Sequence, residues 1–203
     1  MSAGWSRPNC WPNGARPRGN DPLTAARRIA HGLDRLSAGL DRVAIAGASL
    51  AVAAMLASAL WQTVARYVFD APPIWTEEAA RRAMVWAGML GASVAFRAGT
   101  NPTLFPAMLH LAGRPGAVMA LVRGAGVLVF AAPVLWYSAF GPGMNPARGF
   151  IGRSLDRTAE MIPVSMAWFT AAVPVAFVLI VIHLVAALAQ RLAGAPLPES
   201  PAL

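Results

Sequence analysis

The amino-acid sequence predicts an all-α integral membrane protein with four transmembrane helices, an N-terminal amphipathic helix and a short interfacial segment. Apolar residues make up 57% of the 203 residues and charged residues only 13%, whereas soluble domains carry about 25% charged residues. The formal charge is +8, and every basic residue is an arginine placed mainly in tails or between apolar runs. That placement follows the positive-inside rule, so we expect a membrane, and not a nucleic acid, to be the partner of this charge.

The two ends of the chain read as polar tails around one membrane domain. Residues 1–22 are rich in Pro, Gly, Asn and Arg and lack the apolar core of a signal peptide, so they are predicted to be disordered. Residues 23–190 form the predicted four-helix domain, and 191–203 form a C-terminal tail. Cys10 is the only cysteine, which excludes an intrachain disulfide.

An amphipathic helix is predicted between Leu23 and Val43. Its apolar residues recur at steps of three and four, which places them in one stripe: Ile29, Leu33, Leu36, Leu40 and Val43. The charged residues fall mainly off this stripe. A basic helix of this kind is typical of a segment that lies on the membrane surface, and packing against a partner subunit is the alternative.

The first predicted span covers 43–65, which is free of charge and long enough to cross a hydrocarbon core of about 30 Å. Arg42 bounds it on one side, and Arg66 with Tyr67 on the other, where arginine and aromatic anchors settle.

The second predicted span covers 76–98, although only Ala83 to Phe96 is free of charge. Helix signals extend it: Thr76 is the predicted N-cap, Glu77 and Glu78 occupy the first turn where the helix dipole favours acids, and Gly99 suits the C-terminal cap. One face carries small residues that would let another helix approach closely, in this chain or in a partner: Gly88, Gly91, Ala92 and Ala95.

The third and fourth predicted spans cover 117–140 and 161–189. Arg123 interrupts the start of the third and can snorkel toward the headgroups. Pro163 suits the first turn of the fourth span, and Pro174 is expected to kink its middle. The apolar, proline-interrupted segment Leu104 to Leu111 is predicted to lie in the interface.

Arginine counts predict the orientation. With four spans both tails share a side, and ten arginines would lie there against six on the other, so both termini are predicted to be cytoplasmic in a bacterial inner membrane. The ten are Arg7, Arg16, Arg18, Arg27, Arg28, Arg35, Arg42, Arg97, Arg114 and Arg191; the six are Arg66, Arg81, Arg82, Arg148, Arg153 and Arg157.

The sequence contains no motif that is typical of an enzyme active site. His31, His110 and His183 are far apart and belong to no metal or nucleophile motif, so no catalytic residue, cofactor or metal is predicted. His183, near the end of the fourth span, is expected to be an interfacial histidine. The predicted spans also lack the buried carboxylates of ion-coupled carriers.

The densest group of charges opens the second helix. Trp75 and Thr76 precede Glu77 and Glu78, and Arg81 and Arg82 follow at i,i+4, with each acid N-terminal to its arginine. Two interpretations stay open. The group is a capped helix start that neutralises itself, or its charges contact a partner subunit.

Five strings between Trp61 and Trp168 resemble the small permease subunit of TRAP transporters, the DctQ type, and the resemblance covers roughly residues 33 to 190. They are Trp61-Gln62-x-x-x-Arg66-Tyr67-Val68-Phe69, Pro73-x-Trp75-Thr76-Glu77-Glu78-x-x-Arg81, Trp86 with Gly91-Ala92, Arg97-x-Gly99, and Ile162-Pro163-x-x-x-Ala167-Trp168. The family commonly continues R-x-G-x-H-[IV] after its second helix, where this chain has Asn101 and Pro102.

The resemblance implies a four-helix scaffold that braces a large permease subunit, while a periplasmic binding protein captures an organic acid such as a dicarboxylate. The large subunit would carry the substrate and sodium sites. It also implies that Arg66, Trp75, Thr76, Glu77, Glu78, Arg81 and Arg97 belong to a partner interface or a structural motif. Two other hypotheses remain: a membrane anchor of a cytochrome-type enzyme, which would need His183 and a second histidine, and a small homo-oligomeric exporter, which would need Glu77 or Glu78 in its pore.

Overall fold

The described part of this computed structural model, residues 22–99 and 113–192, is helical. Its α-helices are α1 (Pro22–Val68), α2 (Trp75–Ala98), α3 (Gly113–Ala139), α4 (Phe150–Leu155), α5 (Met166–Thr170) and α6 (Ala172–Leu192), with a 3-10 turn at Pro146–Arg148. Residues 1–21 of the predicted tail 1–22, the segment Leu104 to Leu111 and most of the C-terminal tail lie outside the described residues, and Pro22 is the first residue of α1. The all-α class is confirmed for the part that the structure describes.

Three stretches are long and apolar enough to cross a membrane: Ala26–Val68, Val118–Ala139 and Met166–Leu192. The last of these joins α5 and α6. Helix α2 has 24 residues, a comparable length. It is less apolar than these three stretches, because it carries four charges in its first two turns.

Contacts between the long helices give their relative directions. In α1 and α2, Gly47 approaches Leu90, and Asp34 and Asp41 lie beside Arg97, so these two helices are antiparallel. In α3 and α6, Phe130 contacts Phe177 and the Arg191 guanidinium donates to the Gly116 carbonyl at 2.6 Å, so these two are also antiparallel.

Helices α2 and α6 run in the same direction. Arg82 of α2 lies against Phe169, ahead of α6, while Arg97 at the far end of α2 meets His183 of α6 through Ser37. The order of directions is therefore α1 up, α2 down, α3 up and α6 down.

The bundle buries small residues and exposes large apolar ones. Ala44, Ala131, Ala172 and Ala176 are almost fully buried, whereas Leu50, Val129 and Phe130 are 72%, 76% and 66% exposed. Small residues allow helices to approach closely, and large apolar side chains are well solvated by lipid tails. This distribution is what a helix bundle in a bilayer requires.

Two of the predicted elements differ from the structure. Residues predicted as a surface helix and a separate first span form one continuous helix of 47 residues. The fourth span begins at Met166 and not at Met161, because residues 158–165 form a turn closed by an isolated bridge between Thr158 and Ser165.

Pro163 consequently lies before the helix, and the prediction that it occupies the first turn is wrong. Pro174 does interrupt the helix, but near its start. The helix breaks at Ala171, between α5 and α6. The cause is Pro174, which has no N–H to donate to the carbonyl one turn earlier.

Candidate functional site

The residues at the start of α2 are called the α2 motif below: Trp75, Thr76, Glu77, Glu78, Arg81 and Arg82. The motif has an inward half, whose side chains face the rest of the chain, and an outward half, whose side chains are exposed. On the inward side, Thr76 is fully buried and its hydroxyl donates to the Pro73 carbonyl at 2.7 Å. Glu78 is 8% exposed. One of its carboxylate oxygens accepts from Arg82 at 2.9 Å, and the other accepts from the Met161 backbone N–H at 2.7 Å.

This inward half joins α2 to the turn before α5. The Arg82 guanidinium carbon lies 5.3 Å from the centroid of the Phe169 ring, within cation–π range. One turn further along α2, the rings of Trp86 and Trp168 contact each other at 6.1 Å between centroids. Glu78 and Arg82 therefore hold two distant parts of the chain together.

The outward half contacts little else in the described chain. Glu77 and Arg81 form an ion pair at 2.9 Å, with side chains 60% and 69% exposed, and Trp75 is 47% exposed. An exposed pair at i,i+4 contributes only about 0.3–0.5 kcal/mol to stability. Its charges remain accessible to another protein.

The structure confirms part of the predicted geometry of the motif. Both i,i+4 ion pairs are present, and Gly99 adopts the left-handed conformation at φ 67° that ends α2. The prediction that Thr76 caps the helix is wrong. The helix begins one residue earlier, Ile74 is its N-cap, and the Thr76 hydroxyl donates to a carbonyl instead of accepting from an N–H.

Arg66 and Arg97 do not join the motif. Arg66 is exposed in the last turn of α1, where a cation complements the helix dipole. Arg97 lies in the last turn of α2, about 33 Å along the helix from Trp75 at 1.5 Å per residue. Arg97 therefore belongs to a second site, at the other end of the bundle.

The second site, called the Arg97 cluster, consists of Asp34, Ser37, Asp41, Arg97 and His183. The Arg97 guanidinium lies 3.4 Å from an Asp34 oxygen and 3.6 Å from an Asp41 oxygen, and it donates to the Ser37 hydroxyl. The Ser37 hydroxyl oxygen lies 2.7 Å from His183 Nδ1. Three helices, α1, α2 and α6, meet at this one buried serine.

The chemistry of the donors fixes one direction in this cluster. A guanidinium can only donate, so Ser37 accepts from Arg97. The same hydroxyl shares a second hydrogen bond with His183 Nδ1. His183 is 3% exposed, so its ring faces the protein interior at this end of the bundle, and its depth in the membrane stays a prediction.

Sequence reasoning missed this cluster because it placed the N-terminal part of α1 on the membrane surface and did not expect it to pack against α2 and α6. Ile29, Leu36 and Val43 of the apolar stripe are exposed, while Ala30, Ser37 and Ala44 are buried. The spacing of Asp34, Ser37 and Asp41 by three and four residues was the available signal, since it places them on one helix face.

The predicted small-residue face of α2 is open. A side-chain Cβ added at Gly88 or at Gly91 would meet no atom within 4 Å. The close approach is made instead by Gly47 of α1, where an added Cβ would lie 2.9 Å from Leu90 Cδ1. Packing of Gly88 and Gly91 within this chain is thus not observed.

These features define a membrane-embedded helical subunit. Long helices present apolar surface outward, the charged groups lie toward the ends of the bundle, and among the described residues no group of three His, Cys, Asp or Glu side chains is placed to hold a metal ion.

A family model, described as Tripartite ATP-independent periplasmic transporters, DctQ component, matches residues 55–194, and the chain belongs to this family. The resemblance drawn from the α2 motif is confirmed. A search of the curated proteins found no match to this chain. The family is a transporter component and not an enzyme, so the hypothesis of a cytochrome-type anchor is not favoured.

Proposed function

We propose that this chain is the scaffolding small subunit of a sodium-driven, binding-protein-dependent importer of organic acids such as dicarboxylates, in a bacterial inner membrane. Its partners are a large permease subunit and a periplasmic substrate-binding protein, as in the tripartite systems of its family. The observation that carries the proposal is the outward half of the α2 motif, an exposed charged pair beside an exposed tryptophan.

Helix directions support four spans. Helices α1 and α3 both run antiparallel to α6, so they cross the membrane in the same direction. The chain must return between them, and the long helix there is α2. Leu90 of α2 lies against Gly47, within the charge-free part of α1, and this contact supports a position of α2 within the bilayer.

The distribution of charge supports cytoplasmic termini. The bundle end that contains the Arg97 cluster also carries Arg27, Arg28, Arg35, Arg42, Arg123 and Arg191. Asp34 and Asp41, the acids described at that end, are paired with Arg97. At the opposite end, arginines alternate with acids. The positive-inside rule then assigns the Arg97 end to the cytoplasm and the α2 motif to the periplasmic side.

A scaffold role also fits the position of the acids. The Glu78 carboxylate accepts from a backbone N–H of the turn before α5, and the Asp34 and Asp41 carboxylates pair with Arg97. Each lies outside the charge-free part of its helix and is paired with an arginine, whereas ion-coupled carriers place carboxylates near the bilayer midplane. In this proposal the large permease supplies the substrate and sodium sites.

A charge swap in the outward pair tests the contact with the permease. The double variant Glu77→Arg/Arg81→Glu retains an ion pair within the helix but reverses the charges that a partner would meet. We expect loss of co-purification with the large permease and loss of uptake, together with a nearly unchanged midpoint of thermal unfolding for the isolated chain.

Glu78→Gln is the matched control from the inward half. It removes the pair with Arg82 and weakens the bond from Met161, so it should lower the unfolding midpoint of the isolated chain. If the charge swap leaves both assembly and uptake intact, the α2 motif is only a helix start and the proposed contact is wrong.

A further inference from the structure

The N-terminal half of α1 presents a row of arginines to the outside of the bundle. Arg28, Arg35 and Arg42 are spaced by seven residues, so they drift only about 20° around the helix per step. Consecutive members are about 10 Å apart along its axis. All three are exposed, and they are called the arginine ridge here.

The charge of the ridge is not neutralised within the described chain. No member forms an ion pair with a described residue. The positions three and four residues away, which are the helical neighbours, hold no acid. Asp34 and Asp41, which alternate with the ridge in sequence, are directed toward Arg97 on the other side of the helix.

Small residues leave room between the guanidinium groups. Arg28, His31, Gly32 and Arg35 line an open hollow of about 400 Å³. A Cβ added at Gly32 or at Gly39 would meet no atom within 4 Å. An anion with several oxygen acceptors can therefore reach the arginines, whose planar fork suits phosphate oxygens.

An apolar row runs beside the ridge. Ile29, Leu36 and Val43 each follow one of the arginines, about 100° further around the helix, and are 64%, 55% and 69% exposed. One exposed surface thus offers phosphate-binding cations and adjacent hydrocarbon. A phospholipid has the same two parts.

We propose that the arginine ridge binds the phosphate groups of anionic phospholipids in the membrane that this chain crosses. Two observations select a lipid as the occupant. Helix α1 continues without a break into the charge-free residues 43–65, and Arg42 is the last charge before them. The ridge therefore begins at the edge of the hydrocarbon core, and its unpaired positive charge complements an anionic headgroup layer. This inference does not depend on the transport role.

The expected effect follows from the attraction of a basic residue to an anionic membrane surface, which corresponds to roughly fivefold in affinity per arginine. A triple substitution of the ridge should weaken binding on the order of a hundredfold. Binding should also decrease as the salt concentration rises, because exposed charges are screened.

The test uses the full-length chain in detergent, titrated with phosphatidylglycerol or with phosphatidylcholine, with lipid-bound states counted by native mass spectrometry. The variant is Arg28→Gln/Arg35→Gln/Arg42→Gln. The matched control, Arg148→Gln/Arg153→Gln/Arg157→Gln, removes the same charge from exposed arginines at the other end of the bundle. Substitution of the ridge by lysine preserves its charge and should retain most of the affinity.

The result that supports the proposal is preferential binding of phosphatidylglycerol that is lost in the ridge variant and kept in the control. Should the glutamine triple fold poorly, the single variant Arg35→Gln is expected to lose roughly fivefold. Equal binding of the two lipids, or an equal loss in the control, would overturn the proposal.

Two further outcomes would also overturn it. Displacement of the lipid by inorganic phosphate alone would mean that the ridge binds a free anion and not a lipid. Unchanged lipid binding in the ridge variant, combined with selective loss of the co-purifying permease, would make the ridge a protein contact.

Discussion

At the scale of single residues, Ser37 has a role that its size does not suggest. It is fully buried, accepts from Arg97 of α2 and shares a hydrogen bond with His183 of α6, so one hydroxyl connects three helices. The other buried positions on the same face of α1, Ala30 and Ala44, are also small, which allows neighbouring helices to approach closely.

We predict that Ser37→Ala destabilises the chain by about 1–3 kcal/mol, since a part-buried Arg97 donor and the buried His183 Nδ1 lose their partner. Denaturant unfolding in detergent, followed by circular dichroism, measures this. Ser49→Ala provides the control: this exposed serine of the same helix should shift the free energy of unfolding by less than about 0.5 kcal/mol. Equal effects of the two substitutions would contradict the bridging role of Ser37.

The α2 motif shows how far residue-level prediction reached. The i,i+4 pairs of Glu77 with Arg81 and of Glu78 with Arg82 follow from helical spacing alone, and both are present. The different burial of the two pairs does not follow from spacing. Glu78 is buried because the Met161 N–H, 83 residues away in sequence, uses its second oxygen.

At the scale of elements, helices α1 and α2 approach each other closely at Gly47. Gly47 leaves room for Leu90, whereas the glycines at 88 and 91 face open space. In lipid, close approach of helices is driven by van der Waals packing. The face with Gly88 and Gly91 is therefore the surface of α2 most suited to a helix of another subunit.

We predict opposite effects for two leucine substitutions. Gly47→Leu should destabilise the isolated chain by about 1–3 kcal/mol, because the added side chain overlaps Leu90. Gly88→Leu should leave its stability unchanged or raise it by up to about 1 kcal/mol through helix propensity.

Thermal unfolding of both variants measures these effects, and pull-down with the large permease adds a second readout. Gly88→Leu should weaken that association without harming the isolated chain. Retention of full association would show that this face of α2 is not an interface.

Helix α1 illustrates why element boundaries were harder to predict than element types. Charges up to Arg42 and apolar residues after Val43 suggested two segments, but a composition change does not interrupt helical hydrogen bonding. No proline or glycine cap separates the two parts, so one helix of 47 residues results.

At the scale of the whole molecule, the directions of α1, α3 and α6 require a return between the first two. We predict that the loops after α1 and after α3 lie on the same, periplasmic side. In a Cys10→Ser background, Ala71→Cys and Pro142→Cys should react with a membrane-impermeant maleimide in intact cells.

The matched position at the opposite end is Arg27→Cys, which should react only after the cells are permeabilised. Both reporters and this control are exposed residues, so access to reagent depends on the membrane and not on burial. Reaction of only one of the two loop positions in intact cells would mean that α2 does not cross the bilayer.

The sequence by itself determined that this chain belongs in a membrane, which stretches are helical, where α2 ends, and which family it resembles. Those properties depend on composition and on contacts within about one helical turn, and both can be read from neighbouring residues. The tertiary structure decided which face of α1 is buried, how Arg97 and His183 come together at Ser37, and which half of the α2 motif stays free. These properties depend on contacts between residues that lie 60 to 146 positions apart, and no local pattern encodes such partners.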